Sequence, residues 1–266
     1  MVELSWTTHQ VETGGEHIYY EVIAPAAPEG TVVLGHGGAG SHAVWFQQVP
    51  VLAPRYRVIT WDTRGFGRST IRTGALDADL AASDLAAVLD DAGVAEPVHL
   101  VAQSMGGWWI TAFALAQPDR VRSLTYSGTT GGLFTPELEE HFAAVLRAGL
   151  QAPPVLGRHF ALASDLVDRD PSRAFLYQQL NSLAPSSAPV GGAVARRFDA
   201  PAVRALGRPA LFVTGAHDAI YPPALLRGAA ELVGGRLVEL ADAGHSAYFE
   251  VPEAFNEVLL AHLAAA

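Results

Sequence analysis

Ser104 stands between an apolar stretch, Val98–Gln103, and a second apolar stretch that is typical of a buried helix. The residues two before it and two after it, Ala102 and Gly106, are both small. A serine on a tight turn from a strand into a helix has its hydroxyl raised above the sheet, and small neighbours let the backbone make that turn. The alternative is a serine that only caps the helix. The flanking elements favour a nucleophile.

A serine nucleophile needs a general base, and the base needs an acid that orients it. His245 follows the last strand-like segment, and Asp218 follows the segment Ala210–Thr214. Asp242 is a second candidate for the acid, but it lies only three residues from His245 on the same loop. We therefore prefer Asp218. Taken singly, His245 could be a surface histidine and Asp218 a helix cap, but together with the serine they predict a catalytic triad.

Glycines cluster in Gly35–Gly40, directly after the short strand-like segment Thr31–Leu34. Glycines allow backbone amides to face a ligand without intervening side chains. An oxyanion hole needs the amide of the residue after the nucleophile, here Met105, and a second amide from such a loop. We expect Gly38 to supply the second amide. The alternative is a flexible turn without a chemical role.

The same glycines also match a dinucleotide-binding fingerprint, G-x-G-x-x-G, at Gly35, Gly37 and Gly40. Asp62 ends the next strand-like segment, near where an acid that binds the ribose is expected. However, the fingerprint normally opens a helix at once in the first βα turn of its fold, whereas two strand-like segments precede it here. It also leaves the triad unexplained. An oxidoreductase is therefore the weaker interpretation.

Strand-like and helix-like segments alternate along most of the chain and must position these side chains. Continuous apolar strands between helices predict a mainly parallel sheet with helices on both faces, and the first two segments, joined at Thr13–Gly15, form an antiparallel edge. The carboxyl ends of parallel strands lie at one edge, where the triad would meet. The predicted strands are Val2–Val11, Glu16–Ile23, Thr31–Leu34, Tyr56–Trp61, Val98–Gln103, Val121–Ser127, Ala210–Thr214 and Arg236–Leu240.

A long segment between Ser127 and Ala210 contains helical patterns and no convincing strand. Helices are predicted at Pro136–Leu150 and Arg158–Leu166. We expect a helical cap at residues 130–207, inserted into a core of residues 1–129 and 208–266; the alternative is extra packing beside the sheet. The aromatic residues expected to contact substrate are Trp108, Phe134 and Phe142.

Taken together, these motifs resemble the α/β-hydrolase superfamily over nearly the whole chain, with the triad in the superfamily's order. The most similar branch holds capped esterases, enol-lactonases, C–C hydrolases and cofactor-free haloperoxidase-type esterases. The resemblance implies the α/β-hydrolase fold with an eight-stranded sheet, and serine chemistry without a cofactor. The matching motifs are His36–Gly38, Asp62–Ser69, Gln103–Gly107, Gly215–Asp218 and Gly244–His245.

Composition excludes several other classes of function. The 266 residues carry 17 Arg and no Lys, so Schiff-base chemistry on a lysine and P-loop nucleotide binding are excluded. With no Cys, thiolate catalysis and cysteine zinc sites are excluded, and no histidine spacing predicts a metal site. The net charge of −10 disfavours nucleic acid and anionic membranes as partners. The start, Met1–Ser5, does not resemble a signal peptide, so we expect a cytoplasmic protein.

We expect hydrolysis of a small, largely apolar carboxylic ester or lactone through an acyl-enzyme intermediate. The alternative within the same chemistry is C–C bond hydrolysis of a vinylogous diketone, although such hydrolases often carry Asn where this chain has Gln103. A third interpretation, of another class, is a non-catalytic receptor for a small ligand on the same scaffold. The sequence names no particular substrate, and it leaves a homo-oligomer open.

Overall fold

The computed structural model describes residues 2–38, 40–148, 155–183, 192 and 194–266. Its described strands form one eight-stranded sheet in the order β1-β2-β4-β3-β5-β6-β7-β8. β2 pairs antiparallel with β1 and β4, and the remaining pairs are parallel. The predicted fold class is confirmed. The strands are β1 (Leu4–Thr13), β2 (Glu16–Pro25), β3 (Thr31–Gly35), β4 (Arg57–Trp61), β5 (Val98–Gln103), β6 (Val121–Ser127), β7 (Ala210–Gly215) and β8 (Arg236–Leu240).

The first two strands form a hairpin through the two glycines of the predicted turn. Thr13 pairs with Glu16, so that only Gly14 and Gly15 connect the strands. Both glycines have positive φ, 55° and 81°, which a two-residue hairpin turn of the favoured twist requires. A side chain at either position would strain the turn.

Helices cover both faces of the sheet. The short helix α1 (Val49–Leu52) precedes β4, and α2 (Ala78–Asp91) and α3 (Gly106–Ala116) flank β5. In the last part of the chain, α8 (Pro223–Val233) precedes β8, and α9 (Ala247–Glu250) and α10 (Pro252–Ala265) follow it. Within the described ranges, no helix combines the length and apolar character that a bilayer crossing requires.

The alternation of side chains along the strands separates two hydrophobic clusters. In β3, Val33 packs into a cluster with residues of α2, α3 and α8, whereas Val32 and Leu34 pack into a second cluster with residues of α1, α9 and α10. Successive residues of a strand point to opposite faces. Because both faces are covered, the central strands are buried and the edge at their carboxyl ends is left for a site.

The described residues between β6 and β7 contain helices and no strand. They are α4 (Pro136–Ala148), α5 (Leu166–Arg169), α6 (Pro171–Ser182) and α7 (Ala200–Ala205). The helix predicted at Arg158–Leu166 is wrong, because turns, a bend and irregular backbone occupy it up to residue 165 and α5 begins only at Leu166. Residues 149 and 150 of the first predicted helix lie outside the described residues. The assignment of 130–207 as a separate cap stays a prediction.

Candidate active site

Ser104 occupies the sharp connection between β5 and α3. Its φ of 48° makes it the one residue other than glycine with positive φ in the described part of the chain. Such a conformation costs about 1–2 kcal/mol for an L-residue, and it marks a backbone held under strain by its surroundings. The Ser104 amide donates to the carbonyl oxygen of Ser127, 2.9 Å away, which ties the turn to β6.

The small residues on either side of this turn are required by packing. A Cβ added to Gly106 would lie 2.7 Å from the carbonyl oxygen of His36 and 3.3 Å from the Cβ of Ala102. The first distance is too short for any real Cβ, and its partner is backbone that cannot swing away. The end of β3 therefore packs directly on the first turn of α3. This close approach brings the glycine-rich loop after β3 beside Ser104.

Ser104, His245 and Asp218 form a continuous hydrogen-bonded chain. His245 Nε2 lies 2.9 Å from Ser104 Oγ, and His245 Nδ1 lies 3.1 Å from Asp218 Oδ2. His245 and Asp218 are each only 3% exposed, whereas Ser104 is half-buried. An ionised carboxylate at Nδ1 places the imidazole proton there, so Nε2 is free to accept the serine proton.

Asp218 is held by three further donors, and its competitor Asp242 lies elsewhere. Asp218 Oδ1 accepts from the amides of Ile220 and Tyr221 at 2.8 and 2.9 Å, and Oδ2 accepts from the Thr214 hydroxyl at 3.1 Å. Asp242 is exposed, and its backbone carbonyl, not its carboxylate, accepts from Arg169. Of the two candidate acids, Asp218 is therefore the one whose carboxylate contacts His245.

The loop that carries Gly38 lies beside Ser104 and the side chain of Met105. A Cβ added to Gly38 would be 4.0 Å from Met105 Sδ, and one added to Gly37 would be 3.0 Å from Ser104 Cβ. Met105 immediately precedes the first residue of α3, so its N–H has no carbonyl one turn earlier in the helix. The positive end of the helix dipole also faces this point. The arrangement suits a negatively charged oxygen.

His36 fixes the loop that carries Gly38. Its Nε2 accepts from the amide of Thr63 at 3.0 Å, and its Nδ1 lies 2.7 Å from the carbonyl oxygen of Gly37. Since a carbonyl only accepts, Nδ1 carries the proton and the ring is neutral. Complete burial lowers the pKa of His36, which keeps this form at neutral pH. The loop after β3 is thereby joined to the turn after β4.

That turn acts as a structural brace rather than a nucleotide site. The Asp62 carboxylate accepts from the amides of His42 and Arg68, at 2.6 and 2.9 Å, and it is buried. Arg64 makes a buried bidentate ion pair with Asp84 of α2. Both oxygens of the Asp62 carboxylate already accept from backbone amides of this chain, so they are not available to bind a ribose hydroxyl. The described residues also contain no group of three or more side chains suited to hold a metal ion.

A cavity of about 320 Å³ lies above Ser104 and His245. Most of its described wall is apolar, and it contains no Asp, Glu or Arg. Trp108 and Phe142 line it, and Phe160 adds a third aromatic ring from the segment before α5. Pockets of this kind suit small, mainly apolar ligands.

Phe134, the third aromatic residue expected to contact substrate, is not part of the described lining. It packs behind the wall, with its ring centroid 5.4 Å from that of Phe142 and 6.2 Å from that of Trp108. The Arg197 guanidinium lies 4.1 Å from the centre of its ring. Phe134 is therefore a support for the two lining aromatics.

Other lining residues were not predicted from the sequence. Tyr221 stacks on Phe142 and lies 5.9 Å from the His245 ring, and Tyr177 reaches the cavity from α6. Tyr221 follows the Asp218 loop closely, and that position was an available signal. His159 and Tyr177 lie on segments with no motif, so no sequence signal marked them.

The fold and the site define a class of protein, an α/β enzyme scaffold with a strained serine turn and a buried histidine and acid. The sequence pattern of the Alpha/beta hydrolase family matches residues 32–258. The chain therefore belongs to the alpha/beta hydrolase family and is a hydrolase.

Known proteins similar to this chain catalyse several reactions. It is 31% identical over 274 residues to a 2-hydroxy-6-oxononadienedioate/2-hydroxy-6-oxononatrienedioate hydrolase of Klebsiella pneumoniae, covering 96% of this chain and 94% of that protein. A thermophilic esterase from Thermogutta terrifontis superposes with a TM-score of 0.79 at 26% identity, covering 97% of this chain and 98% of the esterase. An enol-lactonase from Burkholderia xenovorans shares the fold, with a TM-score of 0.75 at 22% identity and coverage of 96% and 100%.

Proposed function

We propose that this chain hydrolyses small, largely apolar carboxylic esters or lactones through an acyl-enzyme intermediate on Ser104. The observation that carries the proposal is the chain of hydrogen bonds from Ser104 through His245 to Asp218 at the base of an apolar cavity. Esters and lactones are neutral, so they enter such a cavity without the cost of removing a charged group from water.

The groups at the site divide the steps of the proposed reaction among them. As Ser104 Oγ attacks the carbonyl carbon, its proton moves to His245 Nε2, and the carbonyl oxygen becomes negative. The amides of Gly38 and Met105 donate to that oxygen. His245 then gives the proton to the departing alcohol oxygen as the C–O bond breaks. Water attacks the acyl-enzyme in the same way, with His245 as base, and Ser104 regains its proton when the acid leaves.

C–C bond hydrolysis is the second candidate, because the Klebsiella relative is named for it. The name of that substrate specifies a dioate, which carries two carboxylates. A carboxylate in a buried site needs a cationic or strongly donating partner. The described cavity wall offers no Arg, and the chain has no Lys. The lack of a cationic Arg or Lys side chain in the described wall therefore favours a neutral ester or lactone over a dicarboxylate.

Replacing Ser104 by alanine tests the proposed nucleophile. Ser104→Ala should reduce kcat on the best ester by at least about 10³-fold, because the acyl-enzyme no longer forms. The matched control is Ser83→Ala, which removes an exposed hydroxyl on α2. A fluorophosphonate should label Ser104 in the wild-type protein, as located by mass spectrometry. Labelling at another residue, or a Ser104→Ala protein of undiminished rate, would refute the mechanism.

The substrate class is tested with p-nitrophenyl esters, simple lactones and ring-fission diketones under identical conditions. We expect repeated turnover of neutral esters or lactones at a higher kcat/KM than any diketone. A clear preference for the diketones would favour C–C hydrolysis. A single stoichiometric release of product without further turnover would instead identify a receptor.

A further inference from the structure

The cavity above Ser104 has two walls that belong to different parts of the molecule. Trp108, Phe142 and Ile220 lie in the hydrophobic cluster on one face of the sheet. Ala161 and Tyr177 lie in the cluster on the other face. A substrate in the cavity therefore contacts two surfaces of separate origin, and each can recognise a different part of it.

The second wall carries an imidazole, His159, that the proposed mechanism does not use. His159 Nδ1 accepts from the amide of Ala161 at 3.1 Å. Its ring centroid lies 4.2 Å from that of Phe160 and 5.1 Å from that of Tyr177, so contacts on two sides fix its orientation. A neutral imidazole has one N–H, and because Nδ1 accepts, that N–H is at Nε2.

The protonation state of His159 decides what kind of group it can bind. Burial, and secondarily the nearby His245, lower the pKa of His159 to about 4. At neutral pH the ring is therefore an uncharged donor. Nε2 has no protein acceptor among the described residues, and the Tyr177 hydroxyl is already paired with Ser246 at 2.9 Å. His159 is half-buried and lines the cavity, so its N–H is available to an acceptor on a bound substrate.

We propose that His159 Nε2–H binds a second, neutral oxygen of the substrate, separate from the carbonyl that Ser104 attacks. This inference rests on the proposed function and narrows it to esters or lactones that carry an additional carbonyl or ether oxygen. A carboxylate in that position does not fit, because His159 is uncharged and the described lining has no Arg.

The test compares substrates that differ by one oxygen. On the acyl side, methyl hexanoate is compared with methyl 3-, 4- and 5-oxohexanoate; on the alcohol side, butyl acetate is compared with 2-methoxyethyl acetate. Each kcat/KM is divided by the rate constant for alkaline hydrolysis, which removes intrinsic reactivity. For the wild type we expect at least one oxygen-bearing member to exceed its partner about two- to tenfold, the range of a single hydrogen bond.

Variants of His159 separate recognition from packing. His159→Phe should abolish the advantage, so that the corrected kcat/KM of each oxygen-bearing ester falls to that of its partner in the same variant. His159→Gln should keep part of the advantage, because the Gln amide nitrogen can lie near the position of His159 Nε2. His159→Asn should lose the advantage, because the shorter Asn side chain does not reach that position. The matched control is His141→Gln, at a histidine of α4 outside the described cavity lining. The advantage should not change between pH 6 and 9.

Three results would overturn the inference. They are a wild type without any oxygen preference, a preference that survives in His159→Phe, or a faster rate on monomethyl adipate, which bears a carboxylate, than on methyl hexanoate. In each of these cases alkyl esters are still hydrolysed, so the proposed function stands. If the wild type hydrolyses none of the esters or lactones, the proposed function itself has failed.

Discussion

The strained backbone at Ser104 explains why the residues around it must be small. A φ of 48° persists only where neighbours hold it, and Gly106 and Gly37 allow the backbone of the loop after β3 to press on the turn. These requirements left a visible pattern in the sequence. The catalytic candidates were recognisable because small residues, a nucleophile and two polar side chains must stand at the carboxyl ends of parallel strands, here β5, β7 and β8.

The role of Asp218 can be tested against its neighbour Asp242. Asp218→Asn should lower kcat by about 10⁴-fold, because an amide at this position favours the wrong imidazole tautomer. Asn can still accept from the amides of Ile220 and Tyr221 through its side-chain oxygen, so the loop should stay folded. Steady-state kinetics on the best ester measure the effect.

Asp242→Asn is the matched control, because it changes the same atoms on an exposed side chain. It should change kcat by less than about twofold. A large loss in Asp242→Asn, with a small one in Asp218→Asn, would reverse the assignment. Circular dichroism of both variants distinguishes lost chemistry from lost folding.

At the scale of elements, a buried carboxylate joins the segment before α5 to the loop of His245. Glu250 of α9 accepts from the amide of Ala163 at 2.8 Å and from the amide of Gly244 at 3.0 Å. The same segment is held by the Ser246 amide, which donates to the Ala161 carbonyl at 3.0 Å. The position of the second cavity wall and that of His245 are therefore coupled through these hydrogen bonds.

Glu250 makes stability depend on pH. Burial raises its pKa from 4.5 to about 7, although the amides of Ala163 and Gly244 and the nearby Arg169 act in the opposite direction. The folded protein thus binds this proton more tightly than the unfolded chain does. The resulting stabilisation is complete below pH 4.5 and is lost as pH rises through about 7.

Glu250→Gln should remove this dependence. Between pH 5 and 8, the free energy of unfolding should fall by about 2 kcal/mol more in the wild type than in Glu250→Gln. Urea unfolding at each pH measures it. Glu253→Gln, an exposed neighbour on α10, should behave as the wild type does. Equal slopes for the wild type and Glu250→Gln would show that Glu250 is ionised throughout this range.

For the whole molecule, the sequence predicted the sheet well and the helical insertion poorly. Strands such as Val98–Gln103 and Val121–Ser127 match the structure at both ends, because continuous apolar runs between turn signals have few alternatives. The helix Pro171–Ser182 was missed, since it buries only Ala174 and Tyr177 and shows little apolar periodicity. Contacts across the insertion, such as those of His159, arise only from tertiary packing.

The size of the cavity predicts how the rate depends on acyl length. Each buried CH₂ contributes about 0.8 kcal/mol, so kcat/KM should rise up to about fourfold per carbon while the chain still fits. A space of about 320 Å³ must also hold the leaving group, so the rise should end after a few carbons and the rate should then fall sharply. A series of p-nitrophenyl esters from acetate to decanoate measures this profile.

Phe142 and Phe134 form a matched pair for locating the wall that limits the acyl chain. Phe142→Ala enlarges the cavity directly, so the maximum should move to longer chains by about two carbons or more. Phe134→Ala removes the same side chain from behind the wall, so it should lower stability while the maximum stays at the wild-type length. A shift in Phe134→Ala as large as that in Phe142→Ala would show that the acyl chain reaches past Phe142. An unchanged maximum in both variants would instead mean that the acyl chain extends toward the wall of Ala161 and Tyr177, so that Phe142 faces the alcohol.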